Sequence, residues 1–205
     1  MEISASQVKA LRERTGAPMM DCKRALAEAG GDPAAAEVVL RKQGIASAAK
    51  KAARAASEGS VGSYIHAGGK LGVLVELACE SDFVARTDEF QQLVHDLAMH
   101  IAAAGPRFLG REQVSEAELA SERAIYRQQV IHLNPEKPKP ANVVDKIVEG
   151  KLGKFFEENC LLDQRFVKDD KLTIGELIAS KVAKFGENIQ VRRFTRFKVG
   201  DDSAA

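Results

Sequence analysis

The sequence predicts an α+β fold: a small unit of three helices, then a small three-stranded antiparallel sheet packed with helices and carrying a helical hairpin. Three observations lead there. Residues 1–44 break into three short helical stretches punctuated by Gly and Pro. Two strand-like runs, Ser60–Ala67 and Leu71–Ala78, flank a Gly68-Gly69 turn, and a third run with alternating apolar positions lies near the end of the chain. Residues 115–160 hold two long helical patterns separated by a proline-rich loop.

In order, Ser4 or Ser6 caps a first helix carrying Val8 and Leu11, and Thr15-Gly16 stops it. Pro18 opens a second stretch with Met19, Met20, Cys22, Ala25 and Leu26, closed by Gly30-Gly31. Asp32-Pro33 is an N-cap and first-turn pair for a third helix, which carries Val38, Val39 and Leu40 as far as Gly44. Residues 45–59 are Ala-rich and basic, a helical linker in which Lys50, Lys51 and Arg54 read as solubilising charge before RNA contact. The main domain occupies residues 60–200, with 201–205 as a tail. Its apolar run Leu71–Ala78 reads as a strand buried on both faces, although a short apolar run alone does not exclude a buried helix segment.

Phe90, Leu93, Val94, Leu97 and Ile101 then repeat at helical spacing until Ala104-Gly105-Pro106. Ser115 and Glu118 form a capping box ahead of one arm of the hairpin, and Val144, Ile147, Val148, Leu152, Phe155 and Phe156 mark the other. Three prolines between Asn134 and Pro140 rule out one continuous helix, so the two fold back on each other. Lys171–Phe185 reads as a short helix. The last strand places Ile189, Val191, Phe197 and Val199 on one face and Arg192, Arg196 and Lys198 on the other, where Phe194 joins them.

The most informative stretch is the turn Cys79-Glu80-Ser81-Asp82-Phe83-Val84-Ala85-Arg86, between the apolar run and the helix that follows. Ser81 or Asp82 can cap the helix, because either side-chain oxygen accepts orphan backbone N–H groups. Capping gives no reason for the large ring at Phe83 unless that ring packs into something.

Composition narrows the function classes. The chain is 45% hydrophobic and 29% charged, and 30 basic against 29 acidic residues leave a net charge of +1, so no global field favours nucleic acid. Three well-separated cysteines with no C-x-x-C pair fit reduced thiols in a cytosol. The chain starts on an amphipathic helix with no signal-peptide pattern, and it lacks an apolar run of membrane-spanning length; a cytoplasmic protein is expected. No phosphate-binding G-x-x-x-x-G-K-[ST] loop occurs, Cys79 has no cue for a His partner, and His95 and His100 are five apart, the wrong spacing for one helix face. No enzymatic chemistry, cofactor or metal site is expected.

The octapeptide Cys79–Arg86 resembles the (N/C)-x-(T/S)-D-F-V-A-(R/K) motif of bacterial translation elongation factor Ts, with Ser81 where Thr is commoner. Thr15-Gly-Ala-Pro-Met-Met-Asp-Cys-Lys-Arg-Ala-Leu26 resembles that family's second signature, and the likeness extends over about residues 2–200. The resemblance implies a guanine-nucleotide exchange factor for elongation factor Tu that promotes GDP release by disturbing the magnesium and phosphate site. It implies a ubiquitin-associated-like fold for residues 1–44, with Arg12, Met19, Met20 and Lys23 at the partner contact and His66 near it. Ser81, Asp82, Phe83 and Val84 are implied to carry the magnesium-dislocating contact, and the helical hairpin to be the family's coiled-coil arm. Longer members have a second sheet subdomain and a C-terminal helical module; the short form compensates by homodimerising, so a homodimer through the sheet subdomain is expected. Two other classes remain: a ubiquitin-associated-like binding adaptor without exchange activity, and an RNA-associated factor using the linker and last strand. Neither accounts for both signatures.

Overall fold

The computed structural model describes residues 3–133 and 139–201, in two compact units. One comprises the chain up to Met99 together with Gly175 onward; the other is His100–Ile174. The expected prolyl loop and tail fall largely outside the described residues.

The first unit begins with α1 (Ala5–Thr15), α2 (Met19–Glu28) and α3 (Pro33–Lys51). Ser4 closes a full capping box with Gln7 at the start of α1, and Asp32 accepts from the Ala34 N–H at the start of α3. Val8, Leu11, Cys22, Ala25, Leu26 and Ala36 form the core of the trio. The third helix does not stop at Gly44. It runs unbroken to Lys51, so the first half of the expected linker is the same element, while the chain from 52 to 57 is irregular. Gly44 is buried against the Ala179 carbonyl, a packing role that the sequence signal for a helix stop hides.

Strands β1 (Glu58–Ile65) and β2 (Leu71–Cys79) form the hairpin across Gly68-Gly69. After β2 come a single helical turn, α4 (Asp82–Ala85), and the helix α5 (Asp88–Ala104), whose buried stripe is Phe90, Leu93, Val94, Leu97 and Ile101. Gly62 of β1 lies against α5 so closely that a Cβ there would stand 2.1 Å from Val94 Cγ1.

The second unit holds α6 (Glu116–His132) and α7 (Ala141–Asn159). Arg123–Glu149 and Arg127–Asp145 pair across them, one number rising as the other falls, so the helices are antiparallel. Val130, Val144, Val148 and Leu152 make the seam. Two short strands that the sequence did not announce, β3 (Arg165–Phe166) and β4 (Asp169–Thr173), form a separate hairpin. The helix expected from Lys171 therefore starts later, as α8 (Ile174–Phe185). Beneath the small hairpin His100 is fully buried. Its Nδ1 accepts from the Val167 N–H at 3.3 Å, which fixes the proton on Nε2, 3.0 Å from Gln164 Oε1. Burial holds its pKa below the ordinary histidine value, against the Gln164 hydrogen bond, which raises it.

Returning to the first unit, β5 (Gln190–Lys198) pairs with β2, so the sheet order is β1-β2-β5, fully antiparallel with β2 central. Two expectations are corrected here. β2 is not covered on both faces: Val73, Val75 and Leu77 are buried, whereas Leu74 between them is 48% exposed. The single alternation expected for the last strand is also broken. Glu76 stands opposite Arg193 and Leu77 opposite Val191, leaving Arg192 as an extra residue in a bulge. The bulge reverses the phase of every later side chain. Val191 lies on the covered face with Phe194 and Arg196, while Phe197, 69% exposed, joins Leu74, Val61 and Ile65 on the open face.

Candidate functional site

The turn after β2 shows how the sequence builds an outward-pointing ring. Ser81 has extended backbone and its Oγ accepts from the Val84 N–H at 3.3 Å, so Ser81 and not Asp82 is the cap of α4. Asp82 instead forms an i,i+4 ion pair with Arg86 at 2.8 Å, both largely exposed. Val84 and Ala85 are buried and anchor the turn, which leaves Phe83 on the other side, 78% exposed. A fully presented phenylalanine beside an ion pair has no role in the core of the chain.

The turn is held from a distance of more than one hundred residues in sequence. Between α8 and β5, the Glu187 carboxylate accepts from the Glu80 N–H (3.1 Å) and Ser81 N–H (3.0 Å) through Oε2, and from the Ser81 hydroxyl (2.6 Å) through Oε1. The Asn188 N–H donates to Glu80 Oε1 at 2.6 Å, and its side-chain amide donates to the Ala52 and Arg54 carbonyls. Beneath the turn, the Cys79 thiol donates to the Ser81 carbonyl at 3.1 Å. Burial, with the Glu187 charge nearby, pushes that thiol above the ordinary cysteine value, so it stays protonated and inert as a nucleophile.

The other residues expected at the partner contact lie elsewhere on the unit. Arg12 on α1 and Lys23 on α2 are exposed. Met19 and Met20 are both exposed at the start of α2 and neither fills the core of the helical trio. His66 is exposed at the loop end of the β1-β2 hairpin, where its Nδ1 lies 3.1 Å from Tyr64 Oη. The eight residue steps of β2 separate that end from the Phe83 turn by roughly 26 Å. Ser81, Asp82, Phe83 and Val84 are thus one local constellation, and His66 is not part of it. Nothing in the sequence singles out Glu187 or Asn188. The only local signal there is Gly186 ahead of two polar residues, which reads as an ordinary helix-to-strand turn.

Among the described residues no cluster of His, Cys, Asp and Glu could hold a metal ion, and no helix is long and apolar enough to cross a membrane.

Comparison with known proteins agrees over almost the whole chain. Residues 42–201 match the family described as "Elongation factor TS". The chain is 62% identical over 201 residues to elongation factor Ts of Koribacter versatilis, covering 98% of this chain and 90% of that protein. It is 60% identical over 200 residues to the Solibacter usitatus protein of the same name, covering 98% and 92%. For the Fervidobacterium nodosum protein the identity is 55% over 201 residues, covering 98% of this chain and all of the relative. With a family match over most of its length and relatives this similar end to end, the chain belongs to the elongation factor Ts family.

Proposed function

We propose that this protein is a guanine-nucleotide exchange factor for translation elongation factor Tu, acting in the cytoplasm during the elongation phase of protein synthesis. The observation that carries the reading is Phe83, an exposed ring on a capped and anchored turn, within a chain of this family. The phosphates of a GTPase-bound nucleotide are held by backbone N–H groups and a magnesium ion that offsets their charge. Inserting Phe83 between elements of the partner near that ion, with Asp82 beside it and the Ser81–Val84 turn as its base, displaces groups that hold the metal and loosens GDP. No covalent bond is made or broken. Linkage makes the effect reciprocal: the factor binds most tightly to nucleotide-free elongation factor Tu, and incoming GTP expels it.

Residues 1–44 act in this reading as a ubiquitin-associated-like docking domain. Arg12, Met19, Met20 and Lys23 meet the nucleotide-binding domain of the partner, the exposed methionines supplying an adaptable apolar contact. Residues 45–59 link that domain to a core at 60–200, His66 contributes a separate contact, and α6 with α7 forms a coiled-coil arm. Two copies associate through the open sheet face, where Val61, Ile65, Leu74 and Phe197 would otherwise stay in water.

The test is release of a fluorescent GDP analogue from purified elongation factor Tu. The expected result is acceleration at substoichiometric amounts of this protein. Binding without acceleration would leave an adaptor and overturn the exchange role.

A further inference from the structure

We infer that Glu187 is a positioning residue for exchange: its carboxylate sets the direction of Phe83 through Ser81, without touching the partner. The inference rests on the exchange reading above. A four-residue helix has no cooperative stability of its own, so the direction of α4 depends on what holds its first turn. Here one carboxylate takes three hydrogen bonds from two consecutive residues, two from backbone N–H groups and one from the cap hydroxyl. The Ser81 proton is committed to Glu187, so the hydroxyl lone pair is left facing the Val84 N–H. A negatively charged acceptor also polarises the hydroxyl and makes its oxygen a better cap. Glu187, Ser81 and Val84 therefore form a relay of hydrogen bonds that ends one residue beyond Phe83. The neighbouring Asn188, tied to Glu80 and to the Ala52 and Arg54 carbonyls, keeps the Glu187 backbone in place.

Glu187→Gln is the discriminating variant. It keeps the length of the side chain, but an amide offers only one acceptor oxygen and turns a donor toward either the backbone N–H pair or the Ser81 hydroxyl. Exchange is measured on full-length protein over a range of elongation factor Tu·GDP concentrations, for wild type, Glu187→Gln, Phe83→Ala and the double variant. The expected result is a maximal rate lower by about tenfold, within the loss caused by removing the ring, with little change in half-saturating concentration. The double variant should match Phe83→Ala alone, because a misdirected ring that has been removed cannot be misdirected again. Undiminished exchange by Glu187→Gln overturns the inference. So does an additive loss in the double variant, or a loss confined to half-saturation, since either means that Glu187 supports something other than Phe83. If Glu187→Gln does not fold, Glu187→Asp, whose shorter side chain draws the carboxylate back from the Ser81 hydroxyl, replaces it in the same cycle, with the same expectation and the same refutations. Wild-type exchange by Phe83→Ala would instead bring down the wedge reading itself.

Discussion

Truncating Phe83 is expected to separate exchange from stability, because the ring is exposed in the free protein. In the free protein the ring is 78% exposed, so Phe83→Ala forfeits only the remaining fraction of its burial, about 0.5 kcal/mol. For a chain of this size that is a fall of roughly 1–2 °C in melting temperature. In the complex the same ring is expected to be wholly covered, and covering the exposed 78% of it gains about 1.2–2.3 kcal/mol. If that gain is realised only when the nucleotide site is disturbed, its loss appears in the maximal rate, at about 1.4 kcal/mol per factor of ten. Exchange should therefore slow roughly 7- to 50-fold, while half-saturation with elongation factor Tu·GDP moves little, because docking elsewhere is intact. Stopped-flow release of a fluorescent GDP analogue reads both parameters, and a thermal melt of the same preparation reads stability. A variant that exchanges at the wild-type rate refutes the wedge. One that loses rate only in proportion to lost folded protein refutes the claim that the ring is free of structural duty.

Three further outcomes are expected. The two packed glycines should respond with opposite signs. Gly44→Ala gains about 0.5–1 kcal/mol, since α3 is continuous there and a new Cβ meets Ala179 O at an ordinary 3.6 Å. Gly62→Ala loses about 1–3 kcal/mol, because its Cβ would overlap the stiff Val94 side chain; urea unfolding of both would settle the pair, and a destabilised Gly44→Ala would contradict the continuous helix. His100 binds its proton less readily folded than unfolded, so stability falls as pH drops through about 6.5 toward the folded-state value, with a slope of at most about 1.4 kcal/mol per unit. Denaturation series at several pH values should show that slope in wild type and lose it in His100→Gln; equal slopes would remove His100 as the cause. Finally, Phe197→Asp on the open sheet face should convert a dimer into a monomer by light scattering, and a monomeric wild type would dispose of the sheet-face association.

What could be read in the sequence follows from how local each cause is. The hairpin at Gly68-Gly69, the Asp32-Pro33 helix start and the α5 stripe depend on neighbours within a few residues, and they stand where periodicity and turn chemistry put them. The bulge at Arg192 does not, because a one-residue slip leaves no mark on composition yet turns Phe197 from the covered face to the open one. Gly44 misleads for a related reason: the glycine that reads as a helix stop lies buried against α8, a partner more than one hundred residues away. The candidate site divides along the same line. Phe83 is legible because a large ring in a capped turn breaks the pattern of the chain that carries it. Glu187 obeys its local pattern, an acidic residue after a glycine between helix and strand, and only the folded chain brings it to Ser81. A side chain that breaks its local pattern is thus open to inference from sequence in a way that one obeying it is not. Residues such as Glu187 have to be sought where a charged side chain satisfies another segment's backbone.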